Sequence, residues 1–347
     1  MANVSDFYAC PVNANNIKYL PDLINGQAMH HHSSFTGSRT KLRHDFTQAA
    51  RPTANIQLIY HKQMGTDPIG YFAYNETVTE KGTGIYLEDI YIRDNVRNHL
   101  RGAGSYGFYQ LIDTALTNQM DYIQWAVAMN NEPATFSFYE NKVGGQRLDK
   151  TLYDLEDVLQ KGFLPVPELI NPNLSAMQAK KTDLRAIRRN LESYNKTAPT
   201  AIAIKPLMDN IKTALTHHNA DVYLCKNSAG QIQGLTFSNA NYSTFRTVTG
   251  VKAEPMISLT HDALIYQQSM LCTALAMRRD IYTSGRTGHF IWGVNSNDSL
   301  AHRFMTSQNA EILQMEGNNI ASTLVMYGIK DQNISAQKRD SLIPKQP

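Results

Sequence analysis

The stretch from Ile85 to Gly145 constrains this chain most, because segments of different periodicity follow one another there in a fixed order. "IYLEDIYIRD" alternates as a strand does, with Ile85, Leu87, Asp89 and Tyr91 on one face and Tyr86, Glu88, Ile90 and Ile92 on the other. The turn "VRNHLRGAGSYG" carries two arginines and three glycines. Phe108, Leu111, Ile112, Ala115 and Leu116 then recur at helical spacing. "YIQWAVAMNNEPATFSFYENKVGG" reads as a second strand running into a second helix that ends at Gly144 and Gly145. Strand, loop, helix, strand, helix describes an α/β fold (α+β, with a mixed sheet).

The loop has the chemistry of an anion cradle. Gly102, Gly104 and Gly107 leave no side chain between main-chain amides and a ligand. Those amides converge at the start of a helix, whose dipole favours negative charge, and Arg97 and Arg101 add positive charge. The lysine and hydroxyl of a P-loop are missing, and the turn does not follow a first strand as in a dinucleotide fold. Both features disfavour ATP and NAD, and a plain tight turn is the alternative to an anion site.

These segments together resemble the GNAT N-acetyltransferase superfamily, whose coenzyme loop reads Arg/Gln-x-x-Gly-x-Gly/Ala. Arg101-Gly102-Ala103-Gly104-Ser105-Tyr106 follows that pattern through its fourth position and departs at the sixth, where Tyr106 stands for Gly or Ala. Either Gly107 serves one residue later or the loop is less tight. The N-terminal half is similar to the spermidine/spermine (diamine) acetyltransferase branch, through Tyr86-Leu87-Glu88-Asp89 and through Asn131-Glu132-Pro133 followed by Phe138-Tyr139. It has one residue more than that branch between Pro133 and Tyr139. The resemblance covers roughly the first 150 residues.

The resemblance implies an N-acetyltransferase that moves an acetyl group from acetyl-CoA to a primary amine by direct attack in a ternary complex. Glu88 would take the amine's proton, with Asp89 as second choice across the strand, and Tyr139 would protonate the leaving thiolate. Main-chain groups of Ile90, Tyr91 and Ile92 would run beside the pantetheine arm, and Asn131 would hydrogen-bond it. Arg97 and the run Arg101, Gly102, Ala103, Gly104, Ser105, Tyr106 and Gly107 would take the pyrophosphate. No metal and no covalent enzyme intermediate is implied. Cys10, the cysteine of this half, lies in the first strand, away from the site.

The chain's 347 residues suit two domains. Residues 1–160 are expected to form the catalytic unit, residues 161–199 a proline-bounded linker, residues 200–335 a second unit and residues 336–347 a tail. "SDFYACPV", "NIQLIYHKQ" and "IGYFAYNETV" are strand candidates, and Ile17, Leu20, Leu23 and Ile24 mark a helix. The second unit repeats the plan in altered form, with a hairpin at "DVYLCKNSAGQIQGLTFS", a strand at "EPMISLTH" and a helical stripe of Leu264, Ile265, Gln268, Leu271, Cys272 and Leu275. "HFIWGVNSNDSLAHRF" then parallels the segment from Tyr122, and Trp125 and Trp292 fall at matching core positions. "THDA" stands where the arginine-glycine loop would be, so the second unit is expected to be a degenerate GNAT-like domain without coenzyme.

A net charge of +3 points to neither nucleic acid nor an anionic membrane surface. Cys10, Cys225 and Cys272 do not make a disulfide framework and suit a reducing compartment. The N-terminus has no secretory pattern, and no apolar run approaches the ~20 residues of a membrane span, so a cytoplasmic protein is expected. Lys180, Lys181, Arg185, Arg188 and Arg189 read as a solvated helix face, and His30-His31-His32 and His217-His218 as surface runs without metal-ligand spacing. Glu76, Glu80, Glu88, Asp89 and Glu132 could form an acidic mouth for a cationic acceptor or be ordinary surface charge. The acceptor is a small amine or a protein or peptide amine. The alternative is a non-catalytic acyl-CoA sensor or partner-binding scaffold of the same fold.

Overall fold

The computed structural model describes residues 6–30, 37–47, 54–97, 99–100, 102–128, 133–154, 167–217, 219–244, 247–284, 290–308, 311–312, 314–315, 322–330 and 342. The first half runs through β1 (Phe7–Pro11), α1 (Leu20–His30), α2 (Arg39–Thr47), β2 (Asn55–His61), β3 (Gly70–Thr79), β4 (Gly82–Ile92), the short α3 (Asp94–Arg97), α4 (Ala103–Thr117), β5 (Tyr122–Ala128), α5 (Pro133–Ser137) and β6 (Gln146–Arg147). β7 (Lys150–Asp154) and β8 (Leu174–Gln178) lead into α6 (Leu184–Asn195), α7 (Ile204–Ala214), β9 (Ala220–Asn227), β10 (Ile232–Ser243), β11 (Val248–Ala253) and β12 (Ile257–Ser258). The chain then continues through α8 (Ala263–Thr283), β13 (Phe290–Asn295), α9 (Ser299–Ser307), β14 (Glu311–Ile312), β15 (Gln314–Met315) and β16 (Ser322–Lys330).

Two mixed sheets result, ordered β1-β2-β3-β4-β5-β16-β15 and β14-β7-β13-β11-β10-β9-β8. They share one plan. β2, β3 and β4 form an antiparallel meander, α4 crosses over, and β5 returns parallel to β4. In the second sheet β9, β10 and β11 form the meander, α8 crosses, and β13 returns parallel to β11. Trp125 and Trp292 occupy the same place in the two plans, and both are buried.

The halves are not serial beads. β7 pairs with β13 in the second sheet, and β16 pairs with β5 in the first. Boundaries at residues 160 and 200 would leave β7 with the first unit and β16 with the second, whereas hydrogen bonding puts each strand in the other sheet. Part of the expected linker is also structural: β8 is an edge strand on β9, and Ile187 and Leu191 of α6 are fully buried. Lys180, Lys181, Arg185, Arg188 and Arg189 are exposed, as a solvated face should be.

Other expectations shift with packing. On α8, Leu264 and Leu275 are exposed, while Tyr266, Met270, Leu271, Ala274, Met277 and Ile281 enter the core, because this helix is covered on much of its circumference and one stripe does not describe it. Only Ile257 and Ser258 of "EPMISLTH" pair as a strand. α2 and β11 have weak apolar periodicity and are found only in the fold.

Strands β3 and β10 meet where the two halves join. Asn239 clamps Val78, accepting from its N–H at 2.8 Å and donating to its carbonyl at 3.2 Å. Val78 belongs to the apolar core of the second half, and Tyr242 of β10 to the core around α1 and β2. Interlocked cores and exchanged strands make each half depend on the other. No helix among the described residues is long and apolar enough to cross a membrane.

Candidate functional site

β4 and β5 are paired only from Gly84↔Tyr122 to Leu87↔Trp125. Beyond Leu87 the strands separate, and no described strand covers the β5-facing edge of residues 88–92. Main-chain direction along that edge follows from one bond: the Arg93 N–H donates to the Ile69 carbonyl, on the β3 side. Period-two alternation then turns the N–H and C=O of Ile92 and Ile90 into the open gap. Arg97 agrees, since its Nη2 donates to the Ile92 carbonyl at 3.3 Å. Tyr91 turns its main chain toward β3 and its ring into the apolar cluster with Tyr71, so it lies on the far side of the strand from the gap.

α4 begins at the mouth of this gap. Gly102 takes the position before the helix with φ 103°, a left-handed conformation that a side chain would strain, and among the described residues no side chain caps the helix start. A Cβ placed on Gly104 would meet no described atom within 4 Å, so the first turn faces open space. Ala103, Ser105 and Tyr106 point inward and are buried. Tyr106 stacks on Phe7 at 5.5 Å between ring centroids, and burial pushes its phenol up to about 12. The tyrosine at the loop's sixth position is thus a core residue. Close approach of helix and strand falls to Gly107, whose Cβ would come within 2.6 Å of Ile90 Cδ1. Arg97 is held at the rim by Asp94 at 3.6 Å and His30 Nε2 at 3.1 Å. Arg101 and Asn131 lie outside the described residues.

Tyr139 sits where the two strands part. Its ring lies 5.5 Å from Trp125, the last β5 residue paired with β4, and 5.5 Å from Phe108 of α4. α5 widens after Ser137 into a π-type turn over Phe138–Val143, which carries Tyr139.

On the other side of β4 the alternation expected from sequence breaks. The register with β3 passes from Ala73↔Asp89 to Tyr74↔Leu87, leaving Glu88 as the extra residue of a β-bulge. Ile85, Leu87, Ile90 and Ile92 consequently join the core beneath α4, while Tyr86 and Tyr91 lie in other clusters. Glu88 and Asp89 share the face turned to the second half instead of opposing each other. Asn75 donates to Glu88 at 2.6 Å and to Asn241 of β10 at 2.9 Å. Gln27 of α1 donates to Asp89 at 2.8 Å, and the Thr244 hydroxyl also donates to Asp89. Burial pushes both carboxyls up; Asp89's charge raises Glu88 further, whereas Lys252 and the Asn75 hydrogen bond pull Glu88 down.

Gln27, Asn75, Asn241, Thr244 and Lys252 escaped sequence reasoning. Each lies far in sequence from the residue it serves, and none has a local motif. Of the residues read either as an acidic mouth or as surface charge, Glu76 lies 3.4 Å from His217 and Glu80 belongs to the environment of Glu254 and Lys150. Glu132, His31, His32 and His218 lie outside the described residues. Among the described residues no cluster of three or more His, Cys, Asp or Glu could hold a metal ion, and Cys10, Cys225 and Cys272 are free thiols.

The second half differs where the cradle would be. The N-terminus of α8 is closed by its own Asp262, whose carboxylate accepts from the N–H of Leu264 at 2.8 Å and of Ile265 at 3.1 Å. An internal anion occupies the amides that α4 leaves open.

No family model and no curated protein matches this sequence. Solved structures do. A tandem GNAT protein from the clavulanic acid biosynthesis pathway is 11% identical, with a TM-score of 0.51 over 94% of this chain and 98% of its own. A GCN5-related N-acetyltransferase from Sphaerobacter thermophilus is also 11% identical, with a TM-score of 0.53 over 94% of this chain and 96% of its own. At such identity the likeness speaks for the fold: the chain has the GNAT acyl-CoA N-acyltransferase fold.

Proposed function

We propose that this protein is an acyl-CoA-dependent N-acyltransferase, with acetyl-CoA as donor, a primary amine as acceptor and its catalytic centre in the N-terminal half. The observation that carries the reading is the uncapped, glycine-led start of α4 beside the unpaired edge of β4, set against a second half where Asp262 fills the equivalent amides. The second half is then a degenerate unit that walls the acceptor side.

In this reading the pyrophosphate takes the N–H groups at the start of α4 with Arg97 and Arg101, and Ile90 and Ile92 extend the sheet to the pantetheine amides. Asn131 contributes a further hydrogen bond to that arm. Glu88 removes a proton from the acceptor ammonium, directly or through water. A carboxylate raised by burial is the stronger base, provided it remains ionised. The amine nitrogen attacks the thioester carbonyl, main-chain N–H groups on the open β4 edge stabilise the oxyanion, and Tyr139 protonates the departing thiolate. A polyamine is the acceptor that fits two adjacent carboxylates best.

The test is thiol release from acetyl-CoA over a panel containing a polyamine, an amino acid, a lysine peptide and an aminoglycoside. Amine-dependent thiol supports the proposal. Saturable acetyl-CoA binding with no amine-dependent thiol would leave a sensor or scaffold, and absence of binding would defeat both readings.

A further inference from the structure

The face of β4 that carries Glu88 is closed by the second half through a buried group of charges. Lys252 of β11 is 1% exposed, with its Nζ 3.5 Å from the centroid of the Tyr86 ring. Tyr86 precedes the bulge on the same face of β4 as Glu88. Among the described residues the carboxylate in ion-pair range of Lys252 is Glu254, at 3.6 Å, and Glu254 is itself paired with Lys150 from the exchanged strand β7. Two ammonium groups therefore share one buried carboxylate. Further carboxyls act on this group, Glu88 on Lys252 and Glu80 beside Glu254 and Lys150.

We infer that Lys252, a residue of the second half, is a positioning residue for the reaction proposed in the first: lodged against Tyr86, its ammonium favours the ionised form of Glu88 that can take the amine's proton. The inference rests on the reading of Glu88 as base.

The groups facing Glu88 explain why such help is needed. Asp89 beside it on β4 disfavours a second negative charge, and burial disfavours any charge. Tyr86 stays neutral, its phenol pushed up by burial and by Glu88. Asn75 of β3, held in turn by Asn241 of β10, offers one hydrogen bond without charge. Among the described residues, Lys252 of β11 is the cation acting on Glu88. Burial lowers Lys252 to about 8, against the pull of Glu254 and Glu88, so its support lasts through neutral pH and fades above it. An inactive-looking half would thus hold the charge state of the active one.

The experiment has two readouts on the full-length protein. The first follows the carboxyl signal of Glu88 in protein labelled with [δ-13C]glutamate, identified by its loss in Glu88→Gln, through a pH titration. Lys252→Met should raise its midpoint by about one to two pH units, while Lys252→Arg keeps the parent value. If Lys252→Met does not fold, Lys252→Gln, which leaves the Lys150–Glu254 pair in place, should raise the midpoint likewise. The second readout is the pH profile of kcat/KM with the amine found active in the panel. On its acid side Lys252→Met should be about 10- to 100-fold below the parent, with Lys252→Arg restoring the parent profile. A Glu88 midpoint within a few tenths of a unit of the parent in the charge-free variants overturns the inference. If Glu88→Gln keeps the parent's acid limb, Glu88 is not the base and the reading beneath the inference falls, whatever the titration shows.

Discussion

Three glycines around the start of α4 can be separated by what replacement would do to each. Gly104 has open space where a Cβ would go, so Gly104→Leu leaves the fold intact. Within a helix the change should even add up to about 0.5–1 kcal/mol by restricting the unfolded chain. If a pyrophosphate must reach the first-turn amides, the leucine blocks it. Loss of one charge-assisted contact at about 1.5–3 kcal/mol weakens acetyl-CoA binding about 10- to 100-fold. The two consequences have opposite signs, which makes the variant diagnostic. At a concentration 100 times the parent Kd, acetyl-CoA should stabilise the parent by about 2.7 kcal/mol and a 100-fold weaker variant by only about 0.4 kcal/mol. Gly102→Ala should instead lose both stability and affinity, because φ 103° strains an alanine by ~1–2 kcal/mol. Gly107→Ala brings a methyl within 2.6 Å of Ile90 Cδ1 and should cost about 1 kcal/mol, the low end of overpacking, since the end of Ile90 can turn. Calorimetric titration with acetyl-CoA and urea unfolding of the full-length variants measure both quantities. A folded Gly104→Leu protein that binds acetyl-CoA as tightly as the parent would refute the cradle.

Tyr139→Phe keeps the ring against Phe108 and Trp125, so acetyl-CoA affinity should hold while kcat with the active amine falls about 10²–10⁴-fold; turnover at the parent rate makes Tyr139 a packing residue. Asp262→Ala should cost about 1 kcal/mol by uncapping α8, read from the urea midpoint, and leave the acetyl-CoA Kd unchanged; a changed Kd would bring the second half into coenzyme binding. Glu254→Gln strands Lys150 and Lys252 and should destabilise by about 3–5 kcal/mol at pH 7. Lys150 and Lys252 hold Glu254 down to about 2, against an ordinary value of 4.5. Its contribution is therefore complete above pH 4.5 and is lost as pH falls toward 2, so parent and variant stabilities should converge across that window. Parallel curves would exclude the ion pair.

Sequence by itself determined what depends on neighbours along the chain. The glycines and arginines before α4, the stripe from Phe108 to Leu116, the strands β1 to β5 and the weak repetition of the plan are local patterns, set by period and turn chemistry. Gly102 adopts a left-handed conformation before α4 and Gly104 has open space at its Cβ, and the missing loop after β11 is matched by a helix start that Asp262 closes. Tertiary structure alone decided which strand enters which sheet. β7 meets β13, and β16 meets β5, across separations of well over a hundred residues that no periodicity encodes. It also decided the bulge at Glu88, which depends on pairing with β3 and puts two carboxylates on one face where strict alternation would separate them. Lys252 looks in sequence like an unremarkable lysine in a strand. It reaches the buried face of β4 only because β11 of one half comes against Tyr86 of the other, where removal from water makes each buried charge depend on its partners.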